Sequence, residues 1–244
     1  MAFIPRLFIA SDSISGGRAL VTGSDRNHII NVLRKTAGDT VTVCDMHANS
    51  YEAVIERVEE DSVVLLLGEK KHCESELPFP VTVYQCLPKG EKSDDIVRKA
   101  VELGAKEIVF VASERCVARP DEKTFAKRRE RLLRISESAA AQCGRSYVPE
   151  VRGLINYAEA RKEISASGKG FVCYEGDGTV PLRGLLCGEP GSMAFLIGPE
   201  GGLSEKETGL AVSAGLPLVN LGKRILRTET AALYVLAGIS VNME

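Results

Sequence analysis

Two rhythms of apolar and polar positions divide this chain. Over residues 1–70 the apolar positions recur every second residue in short runs, as in Thr40-Val41-Thr42-Val43-Cys44 and Tyr51-Glu52-Ala53-Val54-Ile55. Turn-forming Gly-Asp and Ala-Asn-Ser stretches separate these runs, and the pattern predicts a small β-barrel. The charged segment from Gly68 to Pro80, with two prolines at its end, reads as a linker. From Val81 onward apolar runs alternate with helical patterns. Buried strands are predicted at Val81 to Leu87, Glu107 to Ala112, Gly170 to Tyr174, Met193 to Gly198 and Pro217 to Leu221. Helices are predicted at Asp94 to Leu103, Thr124 to Gln142 and Ser204 to Ala214, closed by Gly104, Gly144 and Gly215. The last of these opens on a Ser204-x-x-Glu207 capping box. Such alternation predicts an α/β domain over residues 78–244, a mostly parallel sheet covered on both faces.

Composition narrows the class. At 244 residues, 44% hydrophobic and 26% charged, the chain has the balance of a globular protein with a real core. Its longest aliphatic run, Val63 to Leu67, is far short of the ~20 residues of a membrane span. Pro5 and Arg6 interrupt what would have to be a signal-peptide core, so a cytoplasmic protein without a membrane partner is expected. The seven cysteines are spread too evenly for a CxxC pair, and the three histidines show neither HxxxH nor HExxH spacing. Reduced, mostly buried thiols and no metal are therefore expected. The net charge of −2 hides local asymmetry: residues 1–35 hold five bases against two acids, and residues 121–145 hold seven against four. Such patches serve either as an electrostatic footprint for nucleic acid or as solvated faces.

Neither GxGxxG nor GxxxxGK[ST] occurs, so a conventional dinucleotide or nucleoside triphosphate site is not expected. Two glycine-bearing loops instead follow the last two predicted strands, Ile197 to Ser204 and Leu221 to Leu233. Ligands of such sheets sit beyond the carboxyl ends of the strands. Glycines there let backbone groups come close to a ligand, and Ile225 and Leu226 can wall an apolar slot.

These loops carry a resemblance. Gly198-Pro199-Glu200-Gly201-Gly202-Leu203-Ser204, followed by Leu221-Gly222-x-Arg224-Ile225-Leu226-Arg227-Thr228-Glu229-Thr230-Ala231, resembles the paired signature of the RsmE family within the SPOUT superfamily. Further matches are Pro5-Arg6-x-Phe8, His28-x-x-x-Val32-Leu33-Arg34 with Gly38-Asp39, Lys89-Gly90-Glu91-Lys92, Glu102-Leu103-Gly104, Ser113-Glu114-Arg115-Cys116, Gln142-Cys143-Gly144-Arg145 and Val148-Pro149-Glu150. The resemblance implies a PUA-like RNA-binding barrel, a SPOUT domain with a C-terminal trefoil knot, and a homodimer. It also implies S-adenosyl-L-methionine as cofactor and methylation of N3 of a uridine in 16S ribosomal RNA, within the RNA or the small ribosomal subunit. A ribose 2′-O-methyltransferase of the same superfamily and a non-catalytic ribosome-assembly factor remain open alternatives. One departure is Ala141, where the family usually carries Glu.

The expected cofactor site comprises Leu196, Ile197, Gly198, Pro199, Glu200, Gly201, Gly202, Leu221, Gly222, Ile225, Leu226 and Thr228. Arg227 is the candidate catalytic group, because a fixed guanidinium beside O2 and O4 favours the uracil anion. It precedes Thr228, the expected N-cap of the last helix. Glu229 or Glu200 is expected to accept the proton or to orient the arginine, though Glu229 also suits a plain first-turn acid. Arg6, Arg34, Lys127, Arg131, Arg134 and Arg145 are the expected RNA contacts. Of these, Lys127, Arg131 and Arg134 share a stripe of one helix with Ser138, opposite Phe125, Leu132, Ser136 and Ala139. His28, a lone histidine ahead of Ile29 and Ile30, reads as a structural hydrogen-bonding residue before an RNA contact.

Overall fold

The computed structural model describes residues 4–188 and 190–243. Residues 1–3, Glu189 and Glu244 of the two expected domains lie outside the described residues. The chain forms two compact units, one taking the chain up to Glu76 together with Ala140–Val148, the other Leu77–Ala139 and Pro149 onward.

The first unit contains β1 (Arg6–Phe8), β2 (Ile14–Ser15), β3 (Arg18–Thr22), a short α1 (Gly23–Asn27), β4 (Thr40–Cys44), β5 (Asn49–Val58) and β6 (Ser62–His72). They make one sheet in the order β1-β4-β5-β6-β3-β2, antiparallel except where β1 runs parallel to β4. Among the described residues the ladder ends at β1 and β2 with no pairing between those two strands, where the alternation suggests a closed barrel. Period-two alternation places Val41, Val43, Ala53, Ile55, Val63 and Leu65 in one core with Leu7, Ala19, Val21 and Ile29. The expected linker is half strand, because β6 continues through Gly68 to His72, paired with β5 as far as Asn49. A charged sequence is compatible with an exposed strand whose hydrogen bonds come from its neighbour.

The second unit contains β7 (Val81–Cys86), α2 (Lys92–Glu102), β8 (Glu107–Ala112), α3 (Glu122–Cys143, its last turn in the first unit), β9 (Glu150–Asn156), α4 (Tyr157–Ser165), β10 (Lys169–Cys173), β11 (Val180–Pro181), β12 (Met193–Ile197), α5 (Glu205–Ser213), β13 (Leu218–Asn220) and α6 (Thr228–Met243). Its seven-stranded sheet, in the order β11-β13-β10-β12-β7-β8-β9, is parallel throughout. The central strand β12 is a continuous apolar run, and its neighbour β7 is buried at all but Thr82, as strands covered on both faces are. Phe171 and Phe195, in register on adjacent strands, stack with centroids 5.6 Å apart. On α3, Phe125, Leu132, Ser136 and Ala139 form the buried face, as the helical period requires.

The sequence pattern missed β9 and α4. Strand β9 holds Arg152 and Gly153 and lies at the sheet edge, so it shows neither alternation nor an apolar run. Helix α4 does carry a readable signal, the Asn156-x-x-Glu159 capping box, with both reciprocal bonds formed. Arg152 of β9 grips Glu163 of α4 with two parallel hydrogen bonds of 2.8 and 2.9 Å, and the Tyr84 hydroxyl donates to the same carboxylate at 2.7 Å. The bond from Arg152 holds the Glu163 carboxyl below its usual range. Its folded pKa is thus lower than its unfolded one, so the stabilisation is present above the unfolded value and is lost as pH falls through the folded one. Partly exposed pairs of this kind are worth ~0.5–1 kcal/mol. Glu163→Gln is expected to lower Tm by about 1–3 °C at pH 7 and by less at pH 3; equal losses at both pH values would show that the charge is not used.

Candidate active site

Both glycine loops arise where a strand of the second unit ends. Past Ile197 the chain turns through Gly198 to Leu203 before Ser204 caps α5, its hydroxyl accepting from Glu207 N–H at 3.3 Å while Glu207 Oε2 accepts from Ser204 N–H at 3.0 Å. Gly202 is required here. Its φ is +68°, and a Cβ on it would lie 2.6 Å from Glu175 Oε1. Past β13, Gly222 adopts φ +100°, with its N–H donated to Asn220 Oδ1 at 3.3 Å.

The loops face one cavity of about 420 Å³, within the ~300–1,000 Å³ typical of small-molecule sites. Of the residues expected there, Ile197, Gly198, Pro199, Glu200, Gly202, Leu221, Gly222, Ile225, Leu226 and Thr228 line it, and so does Arg227. Three do not. Leu196 points into the core of β12, fully buried, because the strand's side chains alternate between two covered faces. Gly201 turns its carbonyl to Arg115 Nη1 at 3.1 Å. Glu229 lies outside the lining and reaches Lys92 instead. Lys92, Cys173, Tyr174, Glu175, Asn220, Lys223, Arg224 and Ala231 complete the wall. Lys223 and Arg224 stand inside the second motif, whereas Tyr174 and Glu175, just past β10, carried no sequence signal.

Polar contacts fasten the two loops. The Thr228 hydroxyl donates to Gly198 O at 2.7 Å and accepts from Nε2 of Gln85 at 2.8 Å, Gln85 being fully buried in β7. Thr228 is therefore not the N-cap it was expected to be. It is the first residue of α6, and its hydroxyl ties one loop to the other because Gly198 and Gln85 stand within reach. Behind the first loop the Ser113-to-Cys116 segment acts as a brace, with Glu114 Oε2 accepting from the Ser204 hydroxyl at 2.7 Å beside the Arg115 bond to Gly201.

Charge is partitioned unevenly around the rim. Lys92 Nζ lies 2.9 Å from Glu200 Oε1 and 3.3 Å from Glu229 Oε2. Burial pushes the Glu200 pKa up, but the hydrogen bonds from Lys92 and the Lys89 N–H outweigh it and hold the carboxyl below its usual range. The bond to Glu200 likewise raises the Lys92 pKa. Glu200, expected to accept a proton or to orient Arg227, takes hydrogen bonds from Lys92 Nζ and the Lys89 N–H on Oε1. Lys223, Arg224 and Arg227 are exposed, and among the described residues none of the three has a carboxylate partner.

The expected RNA contacts differ in their surroundings. Arg34 is exposed with φ +53°, and Lys127 and Arg134 are exposed on α3. Arg131 is paired with Asp94 at 2.8 Å. Arg6 is half-buried and donates to Arg145 O at 3.2 Å. Arg145, also expected to contact RNA, has a side chain 3% exposed whose Nε donates to both Glu76 carboxylate oxygens at 3.1 and 3.2 Å within the first unit. Its neutralising partner lies 69 positions away, where no local pattern reveals it.

Comparison with known proteins agrees with this geometry. Residues 75–240 match the RNA methyltransferase domain family and residues 21–67 the RNA methyltransferase PUA domain family. The ribosomal RNA small subunit methyltransferase E of Bacillus subtilis is 33% identical, the match covering 92% of this chain and 90% of that protein. The crystal structure of a ribosomal RNA small subunit methyltransferase E from Neisseria gonorrhoeae bound to S-adenosyl methionine superposes with a TM-score of 0.84 at 32% identity, covering 97% of this chain and 96% of that one. A Legionella pneumophila methyltransferase in complex with the same cofactor gives 0.86 at 27% identity, covering 98% and 97%.

Proposed function

Because the chain belongs to the family of the ribosomal RNA small subunit methyltransferases E, we propose that it methylates 16S ribosomal RNA of the small ribosomal subunit at N3 of a uridine, using S-adenosyl-L-methionine. The observation that carries this reading is the cavity between the two glycine loops, lined by Arg227, which has no carboxylate partner among the described residues. The cavity fits the cofactor. A Cβ on Gly222 would meet no protein atom within 4 Å, so backbone there is open to a ligand, and Ile197, Leu221, Ile225 and Leu226 offer apolar walls for an adenine. Glu175 adds a carboxylate for a cationic or hydroxyl-bearing group. When bound, the cofactor supplies an electrophilic methyl carbon on a sulfonium.

The remaining chemistry belongs to the chain. Uracil N3 carries an imide proton and is a poor nucleophile until that proton leaves, whereupon charge spreads onto O2 and O4. The Arg227 guanidinium, without a carboxylate partner among the described residues, favours that anion and aligns the base. With Glu200 and Glu229 both held by Lys92, the proton passes to solvent across the exposed rim. The base must leave its stack to reach such a rim, which suits a loop or junction of ribosomal RNA. The C-terminal segment is read as the family's trefoil knot, and the protein as a cytoplasmic homodimer. Tyr234 and Val241, seven positions apart and exposed on one face of α6, support the dimer, which sedimentation tests. Among the described residues no helix is long and apolar enough to cross a membrane.

Mass spectrometry of nucleosides from small subunits treated with the protein and labelled cofactor tests the reaction. N3-methyluridine is the expected product; a ribose-methylated nucleoside would assign the alternative chemistry, and no label would leave a binding factor. RNA affinity is expected to depend on Lys127 and Arg134, whose charges have no partner among the described residues. Removing one cation that neutralises a phosphate lowers the slope of log affinity against log salt by ~0.7–0.9, so the double alanine variant is expected to flatten it by about 1–2. Arg131→Ala should leave the slope unchanged, since Asp94 already takes that charge. An unaltered slope in the double variant would make α3 a solvated surface.

A further inference from the structure

Lys92 is the first residue of α2, Glu200 lies in the loop after β12, and Glu229 stands in the first turn of α6. Their meeting at 2.9 and 3.3 Å joins three elements at the rim of the cavity that Arg227 lines. Two carboxylates and one ammonium leave a net charge of −1 there, and Arg227 is two positions from Glu229. Among the described residues Arg227 has no carboxylate partner although Glu200 lines the same cavity, which needs a reason. Lys92 supplies it by holding both acids: Glu200 Oε1 also takes the Lys89 N–H at 3.2 Å, which fixes it on the side of α2.

We propose that Lys92 is a positioning residue for the transfer, holding Glu200 and Glu229 together so that the Arg227 guanidinium keeps its full charge for the substrate base. The proposal rests on the role of Arg227 in the proposed reaction. Without Lys92, two adjacent carboxylates repel each other, and Arg227 is one of the cations that line the same cavity as Glu200. A guanidinium bound bidentately by a carboxylate is lost to the uracil anion, since the same fork of N–H donors serves both. Lys92 thus acts on the reaction without touching the base. The direction of the Glu200 and Lys92 pKa shifts, each toward the charged form, agrees with a standing ion pair.

The test compares Lys92→Met, Lys92→Arg and a triple variant that adds Glu200→Gln and Glu229→Gln to Lys92→Met, all in the full chain. Two quantities are read besides cofactor affinity by calorimetry: the single-turnover rate on small ribosomal subunits, and the rate at which phenylglyoxal modifies Arg227, followed by peptide mass spectrometry. Lys92→Met is expected to slow transfer at least tenfold and Arg227 modification at least threefold, with cofactor affinity changed less than threefold. Lys92→Arg should retain most of both rates. The triple variant should regain the modification rate, because no acid remains to claim the guanidinium. Full transfer and modification rates in Lys92→Met would overturn the proposal. So would a triple variant whose Arg227 is modified as slowly as in Lys92→Met, because no acid would remain there to account for the loss. Modification needs no RNA, so it decides the partition of charge even if the wild-type protein transfers no methyl group, an outcome that would count against the activity alone.

Discussion

Arg227→Ala is expected to lower kcat by about 10² to 10³ while leaving cofactor affinity within a factor of a few. A donor aimed at a developing anion is typically worth ~3–4 kcal/mol in the transition state and little in the ground state. The fold gives no reason for a larger effect. The first turn of α6 is closed by the Arg227 carbonyl, which accepts from Ala231 N–H at 2.8 Å, and the side chain is exposed with no carboxylate partner among the described residues. Alanine therefore removes charge and leaves the helix start intact. Raising the pH should partly rescue the variant, since hydroxide then supplies the N3 anion that the guanidinium no longer favours. Arg227→Lys should recover only part of the rate, because a point charge cannot span two oxygens as a planar fork does. Single-turnover rates on small subunits across pH check this, with calorimetry of the cofactor alongside. A wild-type rate, or a loss confined to cofactor binding, would make Arg227 an ordinary residue of a helix start.

The second large effect is expected at Gly222. Valine there should weaken S-adenosyl-L-methionine binding by on the order of 10²-fold, a loss of ~2.7 kcal/mol. Space at this position is open only because no protein atom fills it, and the residue lines the cavity, so the added methyl groups would occupy ligand volume. Backbone strain is a separate contribution. At φ +100° a β-branched residue is an outlier, at a cost of ~1–3 kcal/mol to the fold. Gly215→Val separates the two. Gly215 has φ +79° and open space around it as well, but it follows α5 and does not line the cavity. Both variants should lose several degrees of Tm, and only Gly222→Val should lose the cofactor. Equal affinities in the two would remove the second glycine loop from the site.

Much of the fold was legible because local physics writes it into the chain. Apolar runs marked β7, β8, β10, β12 and β13 since a parallel strand is covered on both faces, and the Ser204-x-x-Glu207 box marked the start of α5 since reciprocal capping needs those residues at that spacing. Edge strand β9 escaped, as its one-sided burial leaves no apolar run. The two glycine loops and Arg227 were found because they fall where strands of such sheets end and because their motifs are long. What the chain by itself determined, then, is where most of its elements lie and which two loops follow the last strands. Tertiary structure alone decided which charges remain available. Glu200 meets Lys92 across 108 positions, Thr228 meets Gln85 across 143 and Arg145 meets Glu76 across 69. Helical and strand periods report only which face a residue takes, whereas ion pairing depends on distances of a few ångströms between elements that packing brings together.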